Sequence, residues 1–359
     1  MSTVNKNEQH FIRHGLSLES PLENQTGYLT PPDRFFVCNS GTTPIIDSQN
    51  YSLRIWGDGV SNEITLSYED LLTMPQHTVP AVLECAGNHR SFFRDVDGLN
   101  IETPAGTEEL IWSMGAMGMA EWTGVSLRDV LNLAGVDSNA VQVCGRGSET
   151  DSVEGEVRLP MPMDKALDID TLLALQMNGE PLPADHGFPV RVLVPGWIGA
   201  YSIKWVQDIE VSMQPIWVRR NTTSYVMKGE LWPESEHAPS QGKPLTQQNI
   251  KSSLALPWPT SLASGLQTIH GYARSPGSPI ASVKWSDNQG ETWSEAALIG
   301  SNEKYGWVRF EFEWQAEAGE QVLMTKATDQ AGRVQPDSTP FNKGGYLYNA
   351  VHPHPVTVV

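Results

Sequence analysis

Cysteine is scarce: three residues in 359, at Cys38, Cys85 and Cys144. So odd and sparse a set builds no disulfide framework. The absence of CxxCH excludes covalent c-type haem, and the absence of CxxC removes the zinc knuckle. Free thiols suit a reducing compartment. No apolar run reaches the roughly 18 residues that a membrane span requires. The opening MSTVNKNEQHFIRHG has neither a basic stretch followed by an apolar one nor a twin arginine. A cytoplasmic location is therefore expected, or a periplasmic one if a leader has been removed. Basic residues are outnumbered, 24 against 42, for a net charge of −18. That balance disfavours a nucleic-acid-binding face and would steer a basic protein partner favourably. Repeats are lacking too. SDNQGETW reads as a tight hairpin and is close to the aspartate-box turn of propellers, but it occurs once.

Hydrophobic residues make up 39% of the chain and include 12 Trp, enough for real cores, and the length suits two domains. YSLRIWGDGVSNEITLSYEDLL alternates like strands around a Gly-Asp-Gly turn and then starts a short helix at Ser67. VSLRDVLNLAGV carries a helical stripe, with Ser126 as its N-cap and Gly135 as its stop. DIDTLLALQMNGEPLP reads as another short helix with a Gly stop. FPVRVLVPGWIGAYSIKWVQDIEVS reads as two buried strands around a Gly-Trp loop. The Pro-rich, polar PESEHAPSQGKPL marks a boundary. Beyond it only strand-like segments follow, as expected of an immunoglobulin-like sandwich. The expected domains are 1–240, α+β with mixed α/β character, and 241–359, all-β.

Among candidate functional residues, Cys85 in VLECAGNHRSFF is open to several readings: a packed thiol, one half of a disulfide, or a thiolate ligand. Buried free cysteine is common. Against that, Arg90 would favour the charged form, and a soft metal wants thiolate. A Cys85–His89 zinc pair lacks a second pair to complete it. DHGFPVRVLVPG places His186 and Arg191 at the ends of a Gly-Phe-Pro turn, and AYSIKW places Lys204 at the start of the next strand. Each is bland alone; together they resemble an anion cradle. The glycines of WSMGAMGMAEWTG do not form a dinucleotide fingerprint. His352 and His354 look structural.

In this order, TPPDRFFVCNS, LECAGNHR, WSMGAMGMAEWTGVSLRDVL, MNGEPLPADHGFPVRVLVPGWIGAYSIKW and GGYLYNAVHPHPV resemble the sulfite oxidase family of molybdenum enzymes, over nearly the whole chain. The resemblance implies a molybdenum–molybdopterin cofactor and a C-terminal dimerisation sandwich, hence a homodimer. It puts Cys85 on the metal-ligand position. Phe36, Val37, Cys38, Asn39 and Ser40 fall on a stretch lining the pterin. His186, Arg191, Ser202, Ile203 and Lys204 fall on other cofactor contacts, and Arg90 and Trp112 fall beside the substrate pocket. The chain also departs from the sulfite oxidase pattern. Cys38 stands for an Arg, Ser40 for a His, Glu108 for a Lys, Leu175 for a Tyr and Gly344 for an Arg. The metal site looks kept and the sulfite site rebuilt, with short stretches leaning toward the sulfane dehydrogenase subunit.

The resemblance therefore implies an oxidoreductase performing oxygen atom transfer on a small sulfur compound or oxyanion. Arg90 would orient the substrate and Trp112 would shape the pocket. Electrons would pass to an external acceptor such as a cytochrome c, because no haem domain is present. Two alternatives are an S- or N-oxide reductase on the same scaffold and a metal-free binding protein.

Overall fold

The computed structural model describes residues 6–103, 110–149, 151–152 and 155–359. The strand Gln76–Glu84 pairs antiparallel with the longer Met117–Ser126 from Gln76↔Val125 to Glu84↔Met117. Met117–Ser126 in turn pairs with Leu172–Met177, and Leu172–Met177 with Arg191–Leu193 and the short Glu180–Pro181. The register slips between Thr123 and Gly124. There the Leu173 carbonyl oxygen occupies the space a Cβ on Gly124 would need.

A second sheet runs Ile64–Ser67, Ser52–Trp56, Val206–Ser212, Gln142–Gly147, Arg158–Pro162, with one parallel pair between Ser52–Trp56 and Val206–Ser212. Leu173, Leu175 and Val192 of the first sheet share a core with Leu53, Ile55 and Ile209 of the second. The helix Tyr68–Thr73 starts where the sequence predicts. Ser67 Oγ accepts from the Asp70 amide at 3.1 Å, and the Asp70 carboxylate accepts from the Ser67 amide at 2.8 Å.

Two expectations are corrected. Ser126 occupies the N-cap position of Leu127–Leu133, but its side chain makes no capping bond. The expected helix in DIDTLLALQMNGEPLP is instead the strand Leu172–Met177. Leu, Ala, Gln and Met are good helix formers, but this segment lies between two strand partners that take its backbone hydrogen bonds.

After residue 250 two sheets face each other. One runs Lys251–Leu254, Gly265–Arg274, Trp307–Ala316, Ala297–Ile299; the other runs Thr260–Leu262, His354–Val358, Gly319–Asp329, Ile280–Ser286, Ser294–Glu295. Ile269, Phe310 and Phe312 meet Val283, Leu323 and Val356 between them. The SDNQGETW hairpin is present, with Gln289 and Gly290 at positive φ between Ile280–Ser286 and Ser294–Glu295. The result is the expected mixed α/β unit followed by a β-sandwich.

Candidate active site

Cys85 follows directly on the last residue of Gln76–Glu84 and lines a cavity of about 440 Å³. Its amide still bonds to the Ala116 carbonyl at 2.9 Å, and its own carbonyl accepts from the Asn88 amide at 3.0 Å to close a turn. The Arg90 amide donates to the Gly87 carbonyl at 2.9 Å as the helix Arg90–Asp95 begins. A Cβ at position 87 would lie 2.8 Å from the Arg90 guanidinium carbon, so a larger residue there would force that side chain to shift.

The Cys85 thiol is pulled down to about 7 by a hydrogen bond with the Cys38 thiol, against the cost of burial. The Arg90 charge, the Gly87 amide and the Trp112 indole add to the pull. Cys38 is pushed well above its ordinary value by Cys85 and by burial. The Cys38 bond and the Arg90 charge therefore favour Cys85 as the thiolate member of the pair, the form that binds soft metals.

A set of wholly or partly buried cations lies on the same cavity wall, with Lys6 beside it. Arg191 donates to the His186 carbonyl at 3.0 Å and the Ser202 carbonyl at 2.8 Å, and its guanidinium lies over the Trp122 ring. Lys204 donates to Asn39 Oδ1 and, at 3.1 Å, to the Asp185 carbonyl. Lys6 sits 2.9 Å from His186 Nε2. Burial pushes Arg191 down to about 9, and Lys204 and Lys6 to about 8. His186 is held well below its ordinary value by burial and then by Lys6, Lys204 and Arg191. Arg220 joins them on the cavity wall.

Phe36, Val37, Cys38, Asn39, Ser40, His186, Arg191, Ser202, Ile203 and Lys204 all line the cavity with Cys85. Arg90 and Trp112, expected at the substrate pocket, are not among its lining residues. Trp112 is fully buried, edge-on to His14 at 4.9 Å. Arg90 is buried behind Cys85, donates to the Leu110 carbonyl at 2.8 Å and stacks over Tyr346 at 4.9 Å. Leu175 belongs to the inner core rather than to any pocket. Gly344 lies against the Tyr346 ring. Glu108 falls outside the described residues.

Sequence reasoning missed Arg220, Glu149 and the hairpin Ile12–His14 with Ser17–Glu19, whose His14 to Ser17 form part of the wall. None of them stands in a motif; only folding brings them together. His89 is no zinc partner: its ring faces Lys251 and Ser253. Among the described residues no group of three or more His, Cys, Asp or Glu could hold a metal by itself, and no helix is long and apolar enough to cross a membrane.

The profile described as oxidoreductase molybdopterin binding domain matches residues 40–218, and that of the Mo-co oxidoreductase dimerisation domain matches 243–359. Sulfite oxidase from Arabidopsis thaliana is 31% identical over 91% of this chain and 88% of its own length. The chain belongs to the sulfite oxidase family. The mitochondrial sulfite oxidase of Mus musculus is 35% identical over 95% of this chain, which spans 64% of the mouse protein. Among solved structures, the sulfane dehydrogenase SoxCD of Paracoccus pantotrophus superposes with a TM-score of 0.82 at 26% identity, over 95% of this chain and 84% of that one.

The family's cofactor is molybdenum–molybdopterin, and the cavity fits it on physical grounds. Arg191, Lys204 and Arg220 outnumber the Glu149 and Asp185 carboxylates on the same wall, leaving charge for a further anion, and the Arg191 Nε is buried with no partner among the described residues. A phosphate-bearing pterin supplies that anion. Cys85 supplies the thiolate a metal would take at the other end of the same cavity.

Proposed function

We propose that this chain is a molybdenum-dependent oxidoreductase that oxidises a small sulfur compound and passes the electrons to an external acceptor. The observation carrying this reading is the Cys85 thiolate in one cavity with buried His186 and Arg191 and partly buried Lys204, in a chain of this family. The bound cofactor would supply two-electron oxygen-atom-transfer chemistry. The chain's own residues divide the remaining work. Arg191, Lys204 and His186 hold the phosphate end, Cys85 holds the metal end, and the Cys38 bond favours the charged form of Cys85. Arg90, behind the thiolate, adds positive charge there. Trp112 and His14 wall off the Cys85 side from water.

Cys38 and Ser40 make the substrate end less cationic than the sulfite oxidase pattern. A desolvated dianion costs several kcal/mol per uncompensated charge. A sulfane-type donor carrying less localised charge therefore suits this cavity better than sulfite. A basic cytochrome is the acceptor that the net charge of −18 favours, and the sandwich joins two copies into a homodimer.

The test is molybdenum content of protein purified from a cofactor-competent host, alongside steady-state assays with sulfite, thiosulfate and a sulfoxide. The expected result is stoichiometric molybdenum with kcat/KM highest for the sulfane donor. Metal-free protein, or turnover of the sulfoxide alone, would sink the proposal.

A further inference from the structure

Successive residues of a strand point to opposite faces. Cys85 lines the cofactor cavity, and Glu84 before it projects into the contact with the sandwich. There Glu84 meets two cations from the second domain. Lys251 Nζ donates to its Oε1 at 2.9 Å, and the Arg274 guanidinium pairs with its other oxygen. Asn88 donates to the same Oε1 at 2.9 Å. Lys251 also reaches His89 Nδ1 at 3.2 Å, and His89 Nε2 meets Ser253 Oγ at 2.9 Å. All of these side chains are buried, Glu84 at 3% exposure and Lys251 and Arg274 at 4% each. A second small cavity, about 10 Å³, is bounded by Cys85, Glu84, Lys251 and Arg274 together.

One buried carboxylate facing two buried cations leaves a surplus of one positive charge. Burial pushes Lys251 down to about 7, and the Cys85 thiolate, bounding the same small cavity, favours its protonated form. Uncompensated charge in a low-dielectric interior acts over this distance far more strongly than in water.

We propose that Lys251 and Arg274 of the sandwich, acting through Glu84, are positioning residues that fix the Cys85 turn and bias the metal behind it toward its reduced state. The sandwich then has a second task besides joining subunits. This inference rests on the proposed function and concerns that same site.

The test is the midpoint potential of the bound molybdenum, followed by electron paramagnetic resonance during reductive titration of purified holoenzyme, with metal content measured on each sample. Lys251→Met and Arg274→Met each remove a positive charge while leaving Glu84 one partner, and both are expected to lower the potential. Glu84→Gln removes the negative charge and is expected to raise it. A merely structural role would give no such opposition of sign. In the charge-losing variants kcat should fall with KM unchanged, because neither side chain lines the substrate cavity. If Glu84→Gln does not fold, the two charge-losing variants decide alone. Potentials unmoved at full metal content would overturn this inference and leave the proposed function standing. Wild-type protein without molybdenum would overturn both.

Discussion

The Cys38 and Cys85 thiols are joined by a hydrogen bond inside the cavity, and it favours the charged form of Cys85. One side chain thus favours charge on another in a place where burial opposes it. Cys38→Ala removes that bond. A hydrogen bond to a charged acceptor contributes about 1.5–3 kcal/mol, so the Cys85 thiol should rise by at least about one unit. In cofactor-free protein, alkylation of Cys85 at neutral pH should slow roughly ten-fold. An unchanged rate, read by mass spectrometry of the Cys85 peptide, would show that Cys38 is a spectator.

Replacing the thiolate itself separates holding the cofactor from using it. Cys85→Ser leaves the buried cations in place, so pterin recovered from the denatured protein should stay near the wild-type level. Turnover should fall by at least about 100-fold, beyond what loss of an outer partner of a metal site costs. Loss of pterin in step with activity would mean that the cations do not anchor it.

Lys204→Met is expected to act with opposite signs on the two forms of the protein. Without the cofactor, burial weighs most against a charged Lys204 and Arg191 adds to it, with Glu149 and Asp185 in partial compensation. Deleting it should therefore leave the melting temperature of the cofactor-free chain unchanged or higher. With the cofactor present the same change removes a charge-assisted partner, and retention should weaken about ten-fold or more. Calorimetry of both forms distinguishes this from plain destabilisation, in which both would melt lower.

Three histidines outside the cavity make a pH prediction. His89 is held well below its ordinary value by burial, then by Lys251 and His352. His352 is pushed to about 3 by burial and then by His354, and His354 to about 4 by burial. Each is neutral when folded and takes up a proton on unfolding below about pH 6.5. The unfolded state then binds more protons, so stability falls as pH drops through 6.5, by about 1.4 kcal/mol per pH unit for each side chain. The fall from any one of them ends near its folded value. Denaturant unfolding between pH 7 and 5 should show this slope, and His352→Leu should reduce it by one proton's worth.

What could be read in advance followed chain locality. The residues around Cys85, and those from His186 to Lys204, lie in short stretches whose spacing survives folding, so their cavity could be anticipated. Arg220, Glu149 and His14 reach the wall from three separate segments, a helical turn, a loop and a hairpin strand, and nothing near them in sequence announces it. The Leu172–Met177 segment was misread because its helix-forming composition is local while its strand partners are distant. The family resemblance expects Arg90 beside the substrate; its contacts with the Leu110 carbonyl and the Tyr346 ring come from distant segments and are not legible in its own stretch.

The bond from Lys251 to Glu84 spans 167 positions of chain. A polypeptide still leaving the ribosome therefore possesses its metal ligand long before it possesses the brace behind that ligand. The turn bearing Cys85 is finished only when the sandwich has emerged and docked. A chain truncated before Lys251 would keep its cysteine and lack both cations that brace Glu84 behind it.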